Sequence, residues 1–142
     1  MNTKEFKEIK ALAKFCNDIC IDTREVYDNM IEDTRDFEVD NYRFIYDDDI
    51  DKIQQDELSG DTYILGCFSA WFLADILDAP VDAIELMQKA EAYEAIGEWV
   101  LESDKLEELQ EKYSSMDGYG HHFSHYDGSE DEINHYYVFR IN

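Results

Sequence analysis

Apolar residues recur at three- and four-residue intervals over much of this chain, the spacing of one-sided helices. Phe6, Ile9, Leu12, Ala13 and Cys16 make the first stripe. Asn2, with Glu5 three residues on, supplies a capping-box start for it. Asp22 with Glu25 repeats the signal, and Val26, Met30 and Ile31 follow as a buried side. Residues 37–46 fit either a short strand or a helical turn, and are read as an irregular segment running into a helix over 48–58. Gly60 ends that helix and Asp61 caps the next, over 61–77. This stretch is apolar on nearly every side, which marks a central, buried helix. Pro80 opens a long helix over 81–102, and Asp104 caps a last one running to residue 114.

The end of the chain changes character. Residues 116–142 contain all four histidines and two aromatic-rich runs, 119–126 and 135–141, separated by an Asp127-Gly128 turn and an acidic loop. That pattern predicts a β-hairpin. The fold expected is mainly α, about five helices with a small C-terminal hairpin, in the α+β class. It reads as a single domain over 1–142, with a helical body over 1–115 and a His/Tyr-rich hairpin over 116–142. No internal repeat or linker interrupts it.

Composition supports a folded chain. Hydrophobic residues make up 44% and aromatics 14% of 142 residues, which separates it from disordered acidic tails. Cys16, Cys20 and Cys67 make an odd set with no disulfide framework, pointing to a reducing compartment. Cys16 and Cys20 are read as small buried hydrophobes. The first residues form no apolar signal region, and the apolar stretch 63–77 is too short to span a bilayer. A soluble, cytoplasmic protein is expected.

Charge then changes the picture. Thirty-five Asp and Glu stand against twelve Lys and Arg, a formal net charge of −23. Solubility of a small domain is met by a net charge of roughly 2–8, and more like charge opposes compactness. Residues 1–20 are net +1, while 21–60 are net −10 and 61–142 net −14. Such a surface repels nucleic acid and anionic membrane and attracts basic grooves. On helices the acids fall into rows. Glu91, Glu94, Glu98 and Glu102 form one; Asp22, Glu25, Asp28, Glu32 and Asp36 a second; Asp75, Asp78, Asp82 and Glu85 a third. Like-charged neighbours at this spacing each cost about 0.2–0.5 kcal/mol. Solvated helices usually relieve that cost with lysine, yet residues 75–102 contain only Lys89.

In size, charge and aromatic-rich helical make-up, the chain resembles the small acidic bacteriophage proteins that mimic DNA to block host restriction or CRISPR nucleases. The run Asp117-Gly118-Tyr119-Gly120-His121-His122-Phe123 also resembles a segment of uncharacterised phage proteins. The resemblance implies an inhibitor without enzymatic activity or cofactor. It would bind the basic groove of a nucleic-acid-binding host defence or DNA-processing protein, in the host cytoplasm if phage-encoded, and would not bind nucleic acid itself. The expected contacts are Glu91, Glu94, Glu98 and Glu102, with Asp28, Glu32 and Asp36 as a second row; homodimerisation stays open.

Two alternatives stand beside it. His121 and His125 would face the same way on a strand, and with His135, Asp117 or Asp127 they could ligate a transition metal, with Glu130 as base for a hydrolytic water. The chain could instead be an acidic adaptor or antitoxin-like protein whose basic partner never touches nucleic acid. Other enzyme signatures are absent: Gly118 and Gly120 lack the helix and Lys of a phosphate loop, and Ser114, Ser115 and Ser124 lack a nucleophile-elbow context.

Overall fold

The computed structural model describes residues 2–142 and divides them into two compact units, residues up to 50 with 117–142, and residues 51–116. The described residues form nine helices and a four-stranded antiparallel sheet. The α+β class stands; about five helices with one small hairpin does not.

The first unit starts with α1 (Thr3–Asp18) and α2 (Thr23–Ile31). Both begin as their sequences indicate. The Asn2 carboxamide oxygen accepts the Glu5 N–H at 2.8 Å, and the Glu5 carboxylate accepts the Asn2 N–H in return. Asp22 accepts the N–H groups of Arg24 and Glu25. Then come β1 (Asp36–Val39) and β2 (Tyr42–Tyr46), exactly the stretch expected to be irregular. Its alternation is real: Phe37, Val39 and Phe44 point to one face and are buried, while Glu38 stays exposed. The left-handed Asp40 opens the two-residue turn between the strands.

β3 (Asp131–Ile133) and β4 (Tyr136–Arg140) complete the sheet in the order β1-β2-β4-β3. The C-terminal hairpin therefore exists, but turns at Asn134-His135, both with positive φ, rather than at Asp127-Gly128. Its strand β4 also pairs with β2, Phe44 opposite Val138. Residues 119–126, expected as a strand, instead form α9 (Gly120–Phe123) and a loop. One face of the sheet packs Phe37, Val39, Phe44, Tyr136 and Val138 on Leu12, Cys16 and Val26. On the other, Phe123 of α9 meets Phe139 at 5.1 Å.

The second unit is helical: α3 (Ile50–Ser59, whose first residue belongs to the first unit), α4 (Thr62–Gly66), α5 (Ala70–Leu77), α6 (Val81–Lys89), α7 (Tyr93–Glu102) and α8 (Leu106–Asp117). Two expected long helices are each broken in two. Residues 61–77 split because Ser69 caps a new helix, its hydroxyl accepting the Phe72 N–H. The break turns Trp71 outwards, 74% exposed, and leaves Tyr63 and Ile64 about half exposed, so this stretch is not buried all round. Residues 81–102 split at Glu91, which adopts φ 58. The Glu91 N–H donates to Gln88 O and the Ala92 N–H to Met87 O, a Schellman closure made without glycine. The core is Leu58, Leu65, Leu73, Ile76, Ile84, Ile96, Val100 and Leu109. α4 and α7 lie antiparallel at backbone contact, Gly66 against Tyr93 and Gly97 against Thr62.

Candidate functional site

The break at Glu91 decides what remains of the first acidic row. Glu91 lies in the left-handed turn, off the helix. Glu94, Glu98 and Glu102 stay together on α7, four residues apart, all exposed, opposite a side made by Ile96, Gly97 and Val100. A rise of 1.5 Å per residue spaces these three carboxylates by about 6 Å along the helix axis. None of the three makes a hydrogen bond or ion pair with the described residues. The row is held firmly, since the Gly97 backbone abuts Thr62 and leaves no room for α7 to slide.

The other two rows dissolve into local duties. Asp22 caps α2, and Asp28 takes the Arg24 guanidinium at 3.1 Å. Glu32 is the last residue of the α2 turn, while Asp36 belongs to β1 and holds Arg43 through two hydrogen bonds, 2.9 and 2.7 Å. Asp28, Glu32 and Asp36 therefore do not share a face. In the third row Asp75 accepts from Lys112, whose ammonium is held above the usual lysine range by that bond. Asp78 ends α5 in a left-handed conformation; only Asp82 and Glu85 stay free on α6.

The cations are largely engaged. Lys14, Arg24, Arg35, Arg43, Lys52, Lys105 and Lys112 each hold a carboxylate. None of these pairs reaches α7. Residues 51–116 carry sixteen acids against four basic residues, a net charge of −12, and α7 shows the surplus most openly.

The histidine-rich segment does not assemble as a metal centre. His121 sits on α9, His125 in the following loop and His135 in the β3–β4 turn, all exposed. Among the described residues no group of three or more His, Cys, Asp or Glu is placed to hold a metal ion. Asp127 instead organises its own loop. It accepts the Ser129 hydroxyl at 2.7 Å and the Ser129 N–H at 3.0 Å, bonds that hold its carboxyl below the usual range. Glu130, the imagined base, accepts the N–H groups of Tyr119 and Gly120 and so fills the Gly118-Tyr119-Gly120 turn from within. Cys16 is buried as read from the sequence, whereas Cys20 is exposed with φ 59, closing α1 where glycine is usual.

Sequence reasoning missed one feature entirely. A cleft of about 630 Å³ opens between α1, α2 and the sheet, lined by tyrosines and aliphatic side chains with carboxylates at its edge. Its residues come from four separate stretches, so no motif announces it. Among the described residues no helix is long and apolar enough to cross a membrane. No protein family, curated protein or solved structure matches this chain.

Proposed function

We propose that this chain is a binding protein that acts as a decoy for nucleic acid, occupying the basic groove of a host defence or DNA-processing protein through the α7 carboxylates. The observation that carries the reading is the Glu94-Glu98-Glu102 row: exposed, regularly spaced, without a cation, on a helix pinned by backbone contact. One strand of B-DNA presents a phosphate every 3.4 Å of rise, so carboxylates about 6 Å apart match roughly every second phosphate. A groove lined with Lys and Arg attracts either ligand, and a preorganised helix spares part of the ordering cost.

Competition tests the reading. The chain, immobilised, captures its partner from a bacterial lysate, and a short DNA duplex is then titrated in. A decoy is displaced by DNA, and Glu94→Lys with Glu98→Lys weakens capture by about 100-fold or more, since each reversal removes an attraction and adds a repulsion. Capture that DNA leaves untouched supports an acidic adaptor instead. Capture unaffected by the double reversal removes α7 from the interface.

A further inference from the structure

The cleft in the first unit has a composition that selects its ligand. Ile9 and Leu12 of α1, Met30 of α2, and the rings of Tyr27, Tyr46 and Tyr136 supply an apolar, aromatic interior. The floor is fixed. Tyr136 is buried, packs edge-on against Tyr46 at 5.3 Å, and donates its hydroxyl to the Thr34 carbonyl at 2.8 Å. About 630 Å³ lies within the range of small-molecule sites.

The polar groups are of one sign. Among the described residues Glu5, Glu8 and Asp33 line the cleft and no Lys or Arg does; Arg35 pairs with Asp33, and Lys4 and Lys7 line a neighbouring groove that shares Glu8. Glu5 is tied into the α1 cap and Asp33 lies 3.4 Å from the Arg35 guanidinium, but the Glu8 carboxylate has no hydrogen bond or ion pair with the described residues. The walls already receive a cation at one place: Arg35 lies over the Tyr46 ring, 4.5 Å from its centroid. Burial first, and then the charge of Asp33, push the Tyr136 hydroxyl up in pKa.

We propose that this cleft is a ligand site for an organic cation, an ammonium carried on an aromatic or branched aliphatic body. The body replaces water against Leu12, Met30 and the tyrosines, and the ammonium stands between Glu8 and Asp33. Neutral and anionic molecules of the same shape are discriminated against, the first by losing the charge pairing and the second by repulsion. The site is independent of the α7 row, which belongs to the other unit.

The test titrates three probes of one shape, 3,3-diphenylpropylammonium, 3,3-diphenylpropanol and 3,3-diphenylpropanoate, into the isotopically labelled chain. Two-dimensional NMR maps the site. The ammonium is expected to shift the resonances of Tyr27, Met30, Tyr46 and Tyr136 saturably, and to bind about tenfold more tightly than the alcohol. Glu8→Gln with Asp33→Asn should bring the two within about twofold, and asparagine suits the left-handed conformation of Asp33. Ile9→Trp should fill the cleft and abolish all shifts; if that variant does not fold, the carboxylate variant still decides. Shifts mapping elsewhere, no saturable binding by the ammonium, or equal affinity for all three probes would overturn the proposal.

Discussion

The α4–α7 crossing fixes the acidic row, and it can be broken with one methyl group. A Cβ built on Gly97 lies 2.0 Å from the Thr62 carbonyl oxygen, 2.7 Å from its carbon and 2.8 Å from its Cα. Carbon atoms pack at about 3.5–4.0 Å, so the helices must separate by more than about 1 Å. Every atom opposing the methyl is backbone, and no side-chain rotation can make room. Overpacking costs about 1–3 kcal/mol where side chains can adjust, and this contact belongs at or above the top of that range. Alanine's better helix propensity returns about 1 kcal/mol, leaving Gly97→Ala destabilised by about 2 kcal/mol or more. Trp71 and Trp99 both lie in residues 51–116, so tryptophan fluorescence during urea unfolding reports this unit. At a urea slope of about 1–3 kcal/mol per molar, the midpoint should fall by roughly 1 M. Ala95→Gly, exposed on the same helix, is the control and loses only about 1 kcal/mol. Gly66 makes the matching contact, 1.9 Å from the Tyr93 carbonyl oxygen. Because either methyl parts the same two helices, the double variant should lose less than the sum of the single losses. A Gly97→Ala chain as stable as the parent, or more stable, would refute backbone contact at this crossing.

Asp104 closes α7 with φ 57 and carries no ion pair. Asp104→Gly should stabilise the chain by about 0.5–1 kcal/mol, the left-handed strain relieved less the extra freedom of the unfolded glycine; the same urea titration reads it. The Asp127 loop should respond to acid. Its bonds from Ser129 hold its carboxyl below the usual carboxylate range, so its contribution is present above that range and is lost as pH falls through the lower, folded value. The protection of the Ser129 amide, relative to the same residue in an unfolded peptide, should therefore fall at acid pH, and Asp127→Ala should abolish that pH dependence.

Helix starts written in side chains were largely legible: Asn2 with Glu5, Asp22 and Asp61 each cap where expected, whereas Asp104, expected to cap the last helix, closes α7 instead. Helix ends were not. Cys20, Asp33, Glu91 and Asp104 all adopt the left-handed conformation that normally advertises itself as glycine. The stop at Glu91 was therefore invisible, and a continuous helix carried four glutamates where the fold lines up three. The sheet was hidden for another reason. β1 and β2 are short, and what stabilises them is the pairing of β2 with β4 about ninety residues later, information that no local window holds. The Asn134-His135 turn competed with the stronger-looking Asp127-Gly128, whose residues are taken up instead by hydrogen bonds from Ser129 and to the Ser124 hydroxyl. The cleft escaped notice because it is a property of packing.

The fold also separates the carboxylates that it uses from those that it does not. Asp22 and Asp61 cap helices; Asp33, Asp40, Asp78 and Asp104 occupy left-handed turns, where a short polar side chain is the usual substitute for glycine, and Glu91 occupies one without that advantage. Asp18, Asp28, Asp36, Asp49, Asp56, Asp75 and Glu108 neutralise cations, while Asp127 and Glu130 organise loops. Folding alone accounts for these. It does not account for Glu94, Glu98 and Glu102, which cap nothing, pair with nothing and repel one another at i,i+4 spacing, each pair at a cost of about 0.2–0.5 kcal/mol. A solubilising charge could be placed anywhere, and interleaved lysines would serve the helix better. Three like charges kept in line on a helix in backbone contact with α4 are costly to the free chain, a cost that the decoy function proposed above would recover against a cationic surface.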